Sequence, residues 1–215
     1  MLPSLTIIDD FLADPWAARR AALALDYAPP GERGNYPGRD STSALPMDGI
    51  NSTVSRHLGL ELQAAPNTEH GHCRITRKTD KGRSGVHIDP AYYSGILYLS
   101  RPEECARTGA GGTDFFRHKR TGLERVPANG AELAATGYDT LDALISDVVN
   151  KDTTLPGKWE RVMRVPMRFN RLILFSPWLF HNAAPGFGDR PENARLVHLM
   201  FFAAARRPEG QPSNA

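Results

Sequence analysis

Cysteine is scarce: Cys73 and Cys105 are the only two in 215 residues. That argues against a disulfide framework and leads us to expect a reduced, cytoplasmic setting. Long hydrophobic runs are absent as well. None reaches the roughly 18 residues that a membrane-spanning helix needs, and Met1-Leu-Pro-Ser-Leu5 lacks signal-peptide architecture. No membrane partner is expected. Nor does one sign of charge dominate, with 26 Lys and Arg against 24 Asp and Glu and a net charge of +2. A nucleic-acid binder would carry a basic face or stripe, so nucleic acid is not an expected partner. Internal repeats are missing too. Turn formers are plentiful, with 19 glycines, 17 prolines and 40% hydrophobic residues. This describes a loop-rich globular chain long enough to bury a sizeable core in one domain, here residues 1–205. A polar, proline-containing tail over 206–215 is expected to fray.

Periodicity orders the rest. Leu5–Ile8 reads as a short strand. Asp14 can cap a helix whose first turn holds Pro15, and the spacing carries that helix past Tyr27 to Pro29-Pro30. Residues 31–46 read as loop, followed by a second helix from about Ile50 to Leu62. Candidate strands follow at Cys73–Arg77, Gly85–Asp89, Ile96–Ser100, Thr113–Arg117, Val162–Pro166, Leu172–Ser176 and Leu196–Ala203. About eight short strands divided by turn residues predict a mainly β fold, a double-stranded β-helix or jelly roll, with N-terminal helices on one sheet. An insert over about 121–159 contains a helical repeat at Leu141, Leu144, Ile145 and Val148.

The chemistry concentrates in Ser84-Gly-Val-His-Ile-Asp89. One residue separates His87 from Asp89, so an extended backbone sends both side chains to one face. Alone, such a pair also fits a turn or a surface ion pair. A second imidazole from His181, on another strand, would give two nitrogens and one oxygen with open positions on one side. That is the ligand set of a non-haem Fe(II) site. Arg195 opens an alternating run in which Val197, Leu199 and Phe201 share its face. An arginine on an otherwise apolar face requires a buried anion, and its planar fork suits a carboxylate.

Around this pair lie Pro90 after the H-x-D, the strand Ser94-Gly-Ile-Leu-Tyr-Leu-Ser100, the strand Gly111-Gly-Thr-Asp-Phe-Phe116, and Arg171–Ser176 running towards His181. The order resembles the Fe(II)/2-oxoglutarate-dependent dioxygenases, particularly their prolyl-hydroxylase-like branch, over roughly Leu5 to Phe202. The resemblance implies iron held by His87, Asp89 and His181, with 2-oxoglutarate and O2 as co-substrates and ascorbate as a reductant. Arg195 would hold the distal carboxylate of 2-oxoglutarate, helped by the Tyr98 hydroxyl. Tyr92 and Tyr93 could touch a small-molecule or peptide substrate. Because Asp89 fills the position that halogenases leave for chloride, hydroxylation is the expected outcome. The alternatives are a non-catalytic metal-binding jelly roll acting as sensor or accessory protein, or a scaffold with a vestigial pocket.

Other clusters read more plainly. His70-Gly-His72-Cys73 has no partner cluster at zinc-like spacing and fits residues near a cavity mouth. Gly109–Gly112 lacks the strand-then-helix context of a phosphate loop and reads as a turn. Lys78–Arg83 reads as a solvated loop, which in the resembled family would lie where substrate-covering loops are found.

Overall fold

A computed structural model describes residues 4–29, 34–108 and 110–205. Its strands are β1 (Leu5–Ile8), β2 (Arg39–Asp40), β3 (Leu62–Ala64), β4 (Cys73–Thr76), β5 (Tyr93–Tyr98), β6 (Thr113–His118), β7 (Trp159–Val165), β8 (Leu172–Phe175), β9 (His181–Ala183) and β10 (Arg195–Ala204). They pair antiparallel throughout. Seven form one sheet in the order β1-β8-β5-β10-β4-β2, with β3 joined to the far end of β10, and three form a second, β7-β6-β9. The fold is therefore mainly β. Cys73 and Cys105 are both free thiols.

Period-two alternation sorts the larger sheet into two faces. Leu97, Leu172, Leu174, Leu196, Met200 and Phe202 point outwards into a cluster with Ala22, Val54 and Leu58. These last three come from helices α1 (Pro15–Leu23) and α2 (Ile50–Leu58), which cover that side. Tyr98, Ile173, Phe175, Val197 and Leu199 point inwards and meet Phe115 and Val165 of the small sheet. One core thus lies between the sheets and a larger one between the seven-stranded sheet and the helices.

Two helices stop earlier than their spacing predicts. Asp14 caps α1, accepting from the Ala17 N–H at 2.9 Å, but the helix ends at Leu23. Tyr27 folds back and donates its hydroxyl to the Ala22 carbonyl at 2.8 Å, supplying a partner that another turn would have given. α2 ends at Leu58 because Gly59 adopts φ 65° as a left-handed cap, which frees Leu62 to start β3. The predicted strand Gly85–Asp89 is not formed; only a single bridge joins His87 to His181. Gly85 is instead drawn against the insert, and Pro90 has no N–H to continue a ladder.

The insert contributes α3 (Gly130–Ala135) and α4 (Leu141–Leu144), the latter running directly into a π-helical stretch over Ile145–Asn150. Leu144, Val148 and Val149 bury against Trp159, Phe180 and Val86. Buried polar contacts fasten the insert to the small sheet: His118 Nε2 lies 3.0 Å from Asp152 Oδ2, and the Trp159 indole N–H donates to the Asp152 carbonyl at 2.8 Å. One further helix, Pro102–Thr108, links β5 to β6. Among the described residues no helix is long and apolar enough to cross a membrane. The predicted tail, 206–215, lies outside the described residues.

Candidate metal centre

Backbone pairing brings the ligating residues together. The His87 N–H donates to the His181 carbonyl at 2.9 Å and the His181 N–H to the His87 carbonyl at 3.1 Å, and the two rings sit 4.4 Å apart between centroids. The insert holds the first of these segments in place. Thr153 Oγ1 accepts from the Gly85 N–H and donates to the Val86 carbonyl, both at 2.9 Å, while the Val86 N–H reaches the Thr153 carbonyl at 2.9 Å. A Cβ on Gly85 would lie 2.2 Å from the Thr153 oxygen, so only glycine allows this approach. The Asp89 N–H, in turn, donates to the Pro177 carbonyl at 3.1 Å, in the turn that leads into His181.

One ligating atom each of His87, Asp89 and His181 lies within 4.8 Å of the others, and this is the only such group of three among the described residues. His181 Nε2 is 3.2 Å from Asp89 Oδ2, and His87 Nε2 is 3.5 Å from Asp89 Oδ1. The other nitrogen of each ring faces a carbonyl: His87 Nδ1 meets Gly85 O at 2.9 Å and His181 Nδ1 meets Leu179 O at 2.8 Å. Those carbonyls assign the ring protons to Nδ1. A ring that is neutral in this tautomer turns its Nε2 lone pair towards the Asp89 carboxylate, where like electron pairs repel one another. A cation resolves that repulsion, and the carbonyls fix each ring as metal-binding histidines require. Burial holds His87 down to about 4, followed by the effect of the neighbouring His181, so it is neutral and able to ligate at neutral pH. Burial pushes the Asp89 carboxyl up, but His181, His87 and the Ser94 hydroxyl outweigh it and hold it below its ordinary value.

The triad lines a cavity of about 100 Å³ together with Tyr36, Thr113 and Arg195. Arg195, the first residue of β10, is 2% exposed. Its Nη2 donates to the Gly112 carbonyl at 3.2 Å and its Nε has no hydrogen-bond partner. No carboxylate among the described residues lies within ion-pairing distance of it, and burial pushes it down to about 10. Gly112 approaches so closely because its φ is 92° and a side chain would strike the Val165 carbonyl. Tyr98 stands behind this end of the cavity, its hydroxyl 2.9 Å from Thr113 Oγ1. Thr113 lines the cavity and Tyr98 does not.

Several contributors escape a reading of the sequence. Ser94 donates to Asp89 Oδ2 at 2.7 Å; it shares strand parity with Ile96 and Tyr98, so alternation could have found it. Tyr36 sits with its ring 4.4 Å from His87 and under the Arg74 guanidinium, but it belongs to an aperiodic loop that gives no signal. That loop is joined to the Lys78–Arg83 segment's end, where the Ser84 N–H donates to the Asn35 carbonyl at 2.7 Å. His70, His72 and Cys73 form no ligating cluster: His72 Nδ1 meets the Ser41 carbonyl at 2.8 Å and His70 meets the Phe201 backbone.

The fold and site define a mainly β protein with a partly buried two-histidine, one-carboxylate cluster beside a buried arginine that has no carboxylate partner among the described residues. The chain belongs to the family of unknown function DUF6445, whose profile matches residues 3–202. No curated protein matches the sequence. Among solved structures, HygX from Streptomyces hygroscopicus, crystallised with nickel, 2-oxoglutarate and hygromycin B, superposes with a TM-score of 0.50 at 14% identity, covering 94% of this chain and 83% of HygX. The non-heme alpha ketoglutarate dependent epimerase SnoN from nogalamycin biosynthesis gives 0.50 at 16% identity, covering 97% and 82%. At such identities the likeness is one of fold.

Proposed function

We propose that this protein is an Fe(II)- and 2-oxoglutarate-dependent oxygenase on a double-stranded β-helix, of the prolyl-hydroxylase-like branch, that hydroxylates a small molecule or peptide side chain. One observation carries the reading. Three lone-pair donors converge in a cavity that also holds a buried arginine without a carboxylate partner. A metal and a carboxylate ligand satisfy both at once, and no apolar occupant would. The donor set fits Fe(II), with positions left open for co-substrates, and the bound metal would supply activation of dioxygen.

The chain's own residues do the rest. His87, Asp89 and His181 hold the metal, with their orientation fixed by the Gly85 and Leu179 carbonyls and the Ser94 hydroxyl. Arg195 receives the distal carboxylate of 2-oxoglutarate, and Thr113, backed by Tyr98, stands ready to donate to it. Removing that carboxylate from water strengthens its pairing with the guanidinium. Asp89 supplies the oxygen ligand that favours hydroxylation. Two free cysteines and a ferrous centre suit a reduced, cytoplasmic compartment.

The test is direct. Protein loaded with Fe(II) without oxygen should bind 2-oxoglutarate in calorimetry, and on admitting oxygen with ascorbate it should release succinate. Absence of both binding and succinate would replace this reading with that of a non-catalytic metal-binding module.

A further inference from the structure

The cavity at the triad, about 100 Å³, has room for a small co-substrate and little more. A second depression of about 590 Å³ opens beside it, and Asp89 lines both. That volume falls within the range of sites that take drug-sized ligands. Among the described residues Asp89 is also the only charged one lining the groove, whose other walls are largely apolar, including Ile88, Ile145 and Ala204. Two large aromatics flank it. Tyr92 follows Asp89 by three residues and Trp178 precedes His181 by three, so each ligand-bearing segment puts one ring into the groove. Both stay well exposed, at 44% and 36%, although Tyr93, next to one, and Phe180, two residues past the other, are buried. The Asp89 N–H bond to the Pro177 carbonyl fixes the two segments side by side.

We propose that this groove receives the uncharged, hydrophobic portion of a small-molecule substrate, and that Tyr92 and Trp178 determine specificity by contacting it. The inference rests on the oxygenase reading, which places the reacting carbon at the metal beside Asp89. A charged group entering this groove would lose water and find, among the described lining residues, no counter-charge other than that of Asp89. Rings and aliphatic chains gain from burial against the two aromatics.

The test uses the full chain loaded with Mn(II), whose paramagnetism broadens the proton resonances of anything bound close to it. 2-Oxoglutarate is titrated first, then 1-naphthalenemethanol, 1-naphthoate and 1-naphthylmethylamine, one ring system carrying no charge, a negative and a positive charge. The alcohol should be broadened by the 2-oxoglutarate-saturated protein, and the two ions about tenfold less at equal concentration. Trp178→Ala and Tyr92→Ala should each weaken the alcohol's binding by about tenfold, the loss expected from removing one aromatic contact, while 2-oxoglutarate is still broadened. Equal broadening of all three naphthalenes, or an alcohol signal indifferent to both substitutions, overturns the groove assignment. If 2-oxoglutarate itself is not broadened, the oxygenase reading fails and takes the groove assignment with it.

Discussion

Ser94 Oγ donates to Asp89 Oδ2 at 2.7 Å, and that same oxygen lies 3.2 Å from His181 Nε2. The hydroxyl therefore sets the direction from which the carboxylate meets the second imidazole. Ser94→Ala should leave the fold intact and lower Fe(II) or Mn(II) affinity about 10- to 100-fold, the usual effect of losing a group that orients a ligand. Anaerobic metal titration reads this, and unchanged affinity would show that packing alone positions Asp89.

Replacing the ligands themselves is more severe. His87→Ala, Asp89→Ala and His181→Ala should each abolish stoichiometric metal binding while circular dichroism stays that of the parent. Should the variants instead unfold and the soluble remainder keep its metal, the cluster is structural.

Arg195 separates stability from function. Arg195→Ala should weaken 2-oxoglutarate binding by about 2–5 kcal/mol, since truncating one partner of a desolvated pair leaves the other unsatisfied. Arg195→Lys should restore only part, the fork geometry being lost. Arg195→Met makes the opposite prediction for the ligand-free protein. A buried guanidinium with no carboxylate partner is replaced by an apolar chain of similar length, so the melting temperature should rise. A fall would mean that the Gly112 contact outweighs the cost of burying the charge.

Acid stability should depend on His198, which is 1% exposed, bonded through Nε2 to the Leu45 carbonyl, and held down to about 4 by burial. Its folded value lies below its unfolded one, so unfolding takes up a proton between them. The neutral ring's contribution is full above about pH 6.5 and is lost as the pH falls towards 4, by at most about 3 kcal/mol. Chemical denaturation from pH 7 to 4.5 should show this loss, and His198→Gln should reduce it, leaving the share that His87 contributes in the same window.

Gly85 is the simplest test of how the insert supports the site. Gly85→Ala places a Cβ against the Thr153 oxygen, so the His87 segment must move. Metal affinity should fall with little change in global stability, measured on one sample by titration and thermal melt. A wild-type affinity would show that the segment tolerates the shift.

The sequence made the longer strands legible, because a strand buried on one face repeats every two residues and one buried on both is a short apolar run bounded by turns. Thus β4, β8 and β10 lie within a residue or two of their expected bounds, and Arg195 shares its face with Val197 and Leu199 as alternation required. Segments held by tertiary bonds were not legible. The His87 segment reads as a strand but is shaped by Thr153, far away in the chain. β2, β3 and β9 are two or three residues long, too short for any period to register. Tyr36 is placed by loop-to-loop bonds that leave no trace in local composition.

The position of β10 also bears on time. It lies between β5 and β4, yet it is the last described strand to be synthesised. Until it emerges from the ribosome, β5 and β4 each present an unpaired edge, and the arginine end of the cavity does not exist. Pairings between such distant segments form slowly, and open edges invite association with other chains. A nascent chain arrested before Arg195 should therefore need a chaperone, and the metal ligands on the earlier segments should acquire a stable site only once that final strand has slotted in.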